Sequence, residues 1–239
     1  MAAMIPFDAR TNSIPAGTRA LCSSSGGKDS LLALWYATRL GVRTTTLLTM
    51  FDETGLRTRS HAVPRGLIEA QADSLGMKLV GPSASWEDYE SVFIATLREL
   101  AAARHELAVF GDIDLQAHRE WEERVCAAAG LRCLLPLWQL NRRALADESL
   151  ALGFRALVVC VDSRHLDDSF CGREFDAQFI ADLPATVDPC GENGEFHTFV
   201  YAGPLLRKRL SVRVTGKEEY VAPPKLGAVR YCFASLAGG

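Results

Sequence analysis

The residues best suited to chemistry form a short loop at positions 25–30, with the sequence SGGKDS. The loop follows an apolar run at 19–24, typical of a buried strand, and precedes a segment at 31–40 whose apolar spacing predicts an amphipathic helix. Two adjacent glycines allow the backbone to approach an anion closely. The N-terminus of the helix adds free N–H groups and the positive end of its dipole, and Lys28 adds a mobile charge. The loop is therefore predicted to hold the phosphates of a nucleotide.

The spacing of this phosphate loop excludes a Walker A motif. That motif requires glycine where this chain has Cys22, and a hydroxyl residue where it has Asp29. The order Ser-Gly-Gly-Lys-Asp-Ser instead resembles the PP-loop of the ATP pyrophosphatase superfamily, whose members split ATP between its α- and β-phosphates. A glycine-rich turn without a ligand is the alternative, and six specified residues between a strand and a helix count against it.

Composition and charge limit the classes of function. The 239 residues are 48% hydrophobic, enough for one large domain or a domain plus a smaller one. A formal net charge of −3 argues against bulk nucleic-acid binding. The first residues lack a signal-peptide pattern and no apolar run reaches membrane-spanning length, so we expect a cytoplasmic protein without a membrane partner. The seven cysteines show no zinc or iron–sulfur spacing.

The chain alternates between strand-like and helix-like segments. Apolar, strand-like runs lie at 44–51, 77–80, 107–110, 133–138 and 156–161, with amphipathic helical patterns between them. This alternation predicts an α/β fold with a doubly wound, mostly parallel sheet. After about residue 162 the rhythm changes, and two late strand-like runs at 210–214 and 229–233 predict a smaller C-terminal α+β portion. We place the domain boundary between 1–160 and 161–239.

Acidic residues follow several of the predicted strands, where open α/β sheets bind their ligands. They are Asp52 and Glu53 after the second strand, Asp112 and Asp114 after the fourth, and Asp162 after the sixth. Carboxylates at strand ends suit magnesium. Asp114 fits a helix N-cap better, whereas Asp112 and Arg119 remain open between a functional and a structural role.

A second dense polar segment spans 188–200, with the sequence DPCGENGEFHTFV. Its glycines and Asn193 predict a tight turn, and the residues from Glu195 onward alternate as a strand. A period of two places Glu195 and His197 on one face. A carboxylate beside an imidazole can share a proton or bind a cationic amine. An exposed hairpin with a polar face is the alternative.

Several segments, in this order and spacing, resemble the diphthine–ammonia ligase family. They are the PP-loop, 111–113, 122–126 with 130–131, 136–138 and 191–198. The likeness runs from about residue 19 to 206, and the combination of a PP-loop with Gly-Glu-x-Gly-Glu separates this family from other PP-loop proteins. The resemblance implies a nucleotide domain of the adenine nucleotide alpha hydrolase-like type, followed by a smaller domain that forms the acceptor pocket.

The resemblance also implies an amidation reaction. In that family ATP adenylates the carboxylate of diphthine on elongation factor 2, and ammonia displaces AMP, with pyrophosphate as the other product. We therefore expect ATP, Mg²⁺, ammonia and a carboxylate acceptor, either small or protein-bound, and leave a homo-oligomer open. The residues assigned to catalysis are Lys28, Asp29, Glu195 and His197, with Asp29 as a magnesium ligand. Those assigned to the nucleotide are Ser25, Gly26, Gly27, Lys28, Asp29, Ser30, Met50 and Asp112. Those assigned to the acceptor are Gly191, Glu192, Asn193, Glu195, His197, Thr198 and Arg119.

The chain departs from the family pattern at two positions of the second motif. Asn193 stands where the ligases often carry glycine, and His197 where they often carry glutamate, so the chain resembles a bacterial branch and the acceptor stays open. A PP-loop enzyme that modifies tRNA is an alternative function, although the missing cysteine pairs and the acidic charge count against it. A non-catalytic nucleotide-binding regulator is another, although the intact Lys-Asp-Ser and the second polar motif count against it.

Overall fold

The computed structural model describes residues 14–222 and 228–238, which form two sheets and the helices around them. The first five strands are β1 (Arg19–Ser23), β2 (Arg43–Leu48), β3 (Lys78–Val80), β4 (Leu107–Val109) and β5 (Arg132–Leu134). The helices are α1 (Lys28–Arg39), α2 (Arg65–Leu75), α3 (Tyr89–Ala102), α4 (Gln116–Ala129), α5 (Arg142–Ala151) and α6 (Ala177–Asp182). The remaining strands are β6 (Arg155–Asp162), β7 (Phe196–Ala202), β8 (Val212–Val221) and β9 (Arg230–Gly238).

The first sheet is parallel, with the strand order β3-β2-β1-β4-β5. Successive residues of β1 pack on opposite faces, because side chains alternate along a strand. Ala20 and Cys22 join a core cluster that includes residues of α1, α2 and α5, whereas Leu21 joins one that includes residues of α3 and α4. Helices therefore cover both faces, and the predicted doubly wound, mostly parallel α/β sheet is confirmed.

The second sheet is antiparallel, with the strand order β7-β6-β9-β8. The strand predicted at 156–161 lies in this sheet as β6, not in the parallel sheet. Its residues are buried on both faces, and such a continuous apolar run does not distinguish a parallel from an antiparallel partner. The boundary between 160 and 161 stays a prediction. It would divide β6, and we propose that the second unit begins ahead of Arg155.

The two sheets meet at the phosphate loop. The N–H of Val200 in β7 donates to the carbonyl of Gly26 across 2.9 Å. The side-chain amide of Gln71 donates to the carbonyl of Gly26 across 3.2 Å and to the carbonyl of Val200 across 2.6 Å. Gly26 has a φ of +89°, and a Cβ there would lie 2.9 Å from Ile68 and from Phe199. Only glycine fits this junction, so the loop is held against β7.

Among the described residues, no helix has the length and apolar character needed to cross a membrane.

Candidate active site

A cavity of about 500 Å³ opens where the carboxyl ends of the parallel strands meet the N-terminus of α1 and the start of β7. This volume lies within the range of small-molecule sites, and the position is the usual ligand site of an open α/β sheet. Many of the predicted site residues line it: Ser25, Gly27, Lys28, Asp29, Ser30, Met50, Asp112, Gly191, Glu192, His197 and Thr198.

The backbone of the phosphate loop is organised by hydroxyl groups. The Ser24 hydroxyl accepts from the N–H of Gly26 at 3.0 Å and lies 2.6 Å from the Ser30 hydroxyl. The Ser30 hydroxyl lies 3.0 Å from the carbonyl of Gly27, to which it can donate. Gly27 precedes α1 without a side-chain cap. The first N–H groups of α1 have no partner within the helix, which favours an anion at this end.

A second glycine brings the loop after β4 against the start of α1. A Cβ at Gly111 would lie 2.6 Å from the backbone nitrogen of Ser30. Any other residue would push the two segments apart. This close approach is a physical reason for glycine at the start of the 111–113 segment, which is one of the segments that resemble the family. It also brings the following Asp112 to the cavity wall.

Lys28 is buried at the floor of the cavity and is 3% exposed. Its ammonium group donates to Asp29 Oδ2 at 2.7 Å and to the carbonyl of Cys190. It also lies 5.4 Å from the ring centre of Phe175 and 5.5 Å from that of Phe196. Burial is the largest single influence on the pKa of Lys28 and acts to lower it, but the charge and hydrogen bond of Asp29 and the neighbouring groups together outweigh burial, and the pKa lies above its ordinary value. The sequence predicted a mobile charge at Lys28, whereas the structure buries this side chain.

Two histidines lie beside the loop. The Nε2 atom of His61 lies 3.0 Å from the Ser25 hydroxyl, and the centres of the His61 and His197 rings are 4.3 Å apart. Burial lowers the pKa of both imidazoles, that of His197 to about 4. Both rings are therefore neutral at pH 7. No local sequence pattern indicated His61, because it lies in a polar loop between β2 and α2.

Carboxyl groups line the opposite wall. Asp112 accepts from His118 at 2.7 Å, and Glu192 accepts from the N–H of Ile113 at 2.7 Å. Burial raises the pKa of Glu192 to about 7. Burial and a hydrogen bond with Asp112 raise the pKa of Glu122 to about 11, so Glu122 is protonated at pH 7. His118 and Glu122 received no role from the sequence, although 122–126 carried part of the resemblance.

One end of the cavity is lined by aromatic side chains. Tyr89 lies between Trp86 and Trp121, with ring centres 5.9 and 6.0 Å away. The Phe93 and Trp121 rings are 5.1 Å apart, and the Arg59 guanidinium lies 5.0 Å from the Trp86 ring. Flat apolar surfaces of this kind suit a purine base. Tyr89 and Phe93 received no functional role from the sequence, and only the fold brings them to the cavity.

Glu195 lies behind the cavity wall and does not face the pocket. Its carboxylate accepts from the N–H of Asp188 at 3.3 Å, the N–H of Asn193 at 3.1 Å and the side-chain amide of Asn193 at 2.9 Å. The tight turn directs its N–H groups inward, and the buried carboxylate satisfies them. The predicted shared face with His197 differs from the structure, because β7 begins only at Phe196.

Three other predicted residues lie outside the cavity lining. Arg119 pairs with Glu123 at 2.7 Å and lies 5.0 Å from the ring centre of Trp138. The Arg119 side chain lies along the surface of α4. Of the two roles left open by the sequence, its contacts therefore agree with the structural role. Asn193 is exposed and accepts from Arg142. Gly26 shapes the loop from behind, as described above.

Comparisons with known proteins agree with this arrangement. A family model described as the diphthamide synthase N-terminal domain matches residues 18–133, and one described as its C-terminal domain matches 141–223. A diphthine–ammonia ligase of Schizosaccharomyces pombe is 26% identical over 78% of this chain and 34% of its own length. Those of Bos taurus and Homo sapiens are 33% identical over 38% of this chain and 36% of their own length. The chain thus matches only about a third of each relative's length.

A solved structure described as a predicted subunit of tRNA methyltransferase from Methanocaldococcus jannaschii aligns with a TM-score of 0.44 and 17% identity. The alignment covers 80% of this chain and 99% of that chain.

The two domain models follow one another in order and together contain both walls of the cavity. The chain belongs to the diphthamide synthase family, the family of diphthine–ammonia ligases.

Proposed function

We propose that the protein is an ATP-dependent amide ligase that adenylates a carboxylate and transfers ammonia to it, releasing AMP and pyrophosphate. One observation carries this proposal. A single cavity joins the phosphate loop, an aromatic compartment and the wall that contains Glu192 and His197. The names of the relatives support the same reaction with diphthine as acceptor. The family match favours this function over a tRNA-modifying enzyme or a non-catalytic regulator.

The fit to ATP rests on the two ends of the cavity. The aromatic compartment of Trp86, Tyr89 and Trp121 would hold the base, and the N-terminus of α1 would hold the phosphates. A Cβ at Gly27 would come within 3.3 Å of His61, so glycine keeps this surface open to a phosphate. The helix dipole and Lys28 would stabilise the negative charge that develops on the leaving pyrophosphate.

Magnesium would enter this site together with the nucleotide. Mg²⁺ in nucleotide sites is usually held by one or two carboxylates and by phosphate oxygens. Asp29 lines the cavity beside Lys28 and would supply one such carboxylate. The ion pair between Lys28 and Asp29 would have to open, which frees Lys28 for a phosphate at the same time.

The amide step requires neutral ammonia, because ammonium has no lone pair with which to attack. We propose that Glu192 accepts the proton from ammonium, since its carboxyl lines the cavity and its pKa of about 7 suits proton transfer near neutral pH. Gly191 and Thr198 would complete the acceptor wall, and His197 would lie between this wall and the phosphates, beside His61. Glu195 and Asn193 would support this wall by holding the turn. A cytoplasmic location and a homo-oligomer stay predictions.

The test is product analysis. The protein would be incubated with ATP, Mg²⁺ and ammonium chloride, with diphthine-containing elongation factor 2 in one arm and a metabolite extract in another. We expect AMP and pyrophosphate in equal amounts and an amidated acceptor in the mass spectrum. ADP and orthophosphate as direct products would contradict the proposal. ATP binding without turnover in every arm would favour the regulator.

A further inference from the structure

His61 occupies a position above the phosphate loop that the proposed reaction has not used. Its Nε2 atom lies 3.0 Å from the Ser25 hydroxyl. A Cβ on Gly27 would come within 3.3 Å of the same nitrogen. The imidazole edge therefore faces the glycine surface of the loop.

The backbone holds His61 in place through a closed turn. The N–H of Thr58 donates to the carbonyl of Val63 at 2.9 Å, and the N–H of Val63 donates to the Thr58 hydroxyl at 3.1 Å. Ala62, directly after His61, has a φ of +51°, a left-handed conformation that costs free energy for a residue with a Cβ. Such strain persists where surrounding contacts enforce it, and it is common at ligand sites.

His197, in β7, packs against the His61 ring. The two ring centres are 4.3 Å apart and the planes are inclined by 34°. Both residues line the cavity. Within the described part of the chain, the Nδ1 atom of His61 is buried without a hydrogen-bond partner. A buried polar atom without a partner costs free energy that a ligand can recover.

We propose that His61 and His197 form a second phosphate-binding element of the nucleotide site, and that the pair takes up one proton from solvent when the nucleotide binds. This inference rests on the proposed nucleotide site. A protonated imidazole would donate a charge-assisted hydrogen bond to a phosphate oxygen. Two positive rings at 4.3 Å would repel one another, so the pair takes up one proton and not two.

The surrounding charges determine when this protonation occurs. Without a ligand, burial and the positive charge of Lys28 lower the pKa of both rings, and only Glu195 acts to raise that of His197. The uncharged Ser25 hydroxyl and the backbone of the loop complete the surroundings. A phosphate brings negative charge within about 4–6 Å, which raises the pKa of an imidazole by roughly one to three units. Since the pKa of His197 starts from about 4, such a rise brings it toward neutral pH, and proton uptake on binding should be larger in mildly acidic buffer than at pH 7.

The experiment is calorimetric titration of the full chain with α,β-methylene ATP, an analogue whose α–β bond resists cleavage. Titrations in two buffers of different ionisation enthalpy measure the number of protons taken up. We expect the wild type to take up more protons than His61→Gln or His197→Gln. Its affinity should rise by up to about tenfold per pH unit as pH falls. His165→Gln is the matched control, because His165 is exposed and outside the cavity lining.

The comparison between variants removes the titration of the analogue's own phosphates, which is common to all of them. Equal proton uptake in the wild type and both variants would overturn the inference and leave the nucleotide site intact. An absence of binding to the wild type would overturn the proposed nucleotide site and this inference with it. Side-chain ¹⁵N shifts of the wild-type histidines give a test without substitution. One new imidazolium on binding supports the inference, and its absence overturns it.

Discussion

The backbone N–H of Lys28 donates to the hydroxyl of Thr198 across 3.1 Å, although 170 residues separate them in the chain. Lys28 begins α1 in the nucleotide part, and Thr198 lies in β7 of the second sheet. The bond therefore joins the phosphate loop to the wall proposed for the acceptor. It fixes the spacing between the two parts that the proposed reaction would use, as proximity catalysis requires.

Replacing Thr198 by valine should weaken this junction. The buried N–H of Lys28 would lose its acceptor, at a cost of about 1–3 kcal/mol in the free energy of unfolding. Urea denaturation measures this loss, and nucleotide affinity should fall together with it. Thr198→Ser keeps the hydroxyl and is the control. An equal loss in the serine variant would show that packing of the methyl group, not the hydrogen bond, is responsible.

Replacing Lys28 should affect binding and stability separately. Lys28→Met keeps most of the packing against Phe175 and Phe196 but removes a charge-assisted phosphate contact worth roughly 1.5–3 kcal/mol. We expect nucleotide affinity to fall by about ten- to a hundredfold in calorimetry. Lys28→Ala should lose stability as well, because the ammonium group and its stem are buried. Unchanged affinity in a folded Lys28→Met protein would contradict the phosphate-loop assignment, and exposed Lys208→Met is the charge control.

The two glutamates of the second motif should behave differently. Glu192→Gln should slow amide formation by about 10²–10⁴, because it removes the proposed proton acceptor. Glu195→Gln should instead lower the free energy of unfolding by about 1–3 kcal/mol, because an amide cannot accept all the hydrogen bonds of the turn. Denaturation and product assays on both variants separate the two effects. A stable Glu195→Gln protein with slow chemistry would restore the pocket-facing role.

Glu192 should also give the protein a pH-dependent stability. Burial raises its pKa from 4.5 to about 7 in the folded state, so the folded protein holds this proton more tightly than the unfolded chain. The corresponding stabilisation is complete below pH 4.5 and is lost as pH rises toward 7, by at most about 1.4 kcal/mol per pH unit. Between pH 5 and pH 7, the free energy of unfolding should therefore decrease more in the wild type than in Glu192→Gln. Parallel curves would contradict the raised pKa.

Local patterns determined the part of this protein that short-range physics controls. The 25–30 loop needs two glycines and a helix that begins directly after them, and a run of six consecutive residues is enough to indicate both features. The alternation of apolar runs determined the doubly wound sheet, because side-chain periodicity follows from backbone geometry. The order of motifs was enough to indicate the family.

Only the tertiary structure decided which side chains meet. His61, Tyr89 and Glu122 lie on separate elements, and strand order and packing bring them to one cavity. The partners of β6 followed from pairing between distant strands, which a uniformly apolar run does not specify. Glu195 faces a turn and not the pocket, because the need of buried N–H groups for an acceptor prevailed over simple alternation. Contacts of this kind depend on residues far apart in the chain, so no local pattern contains them.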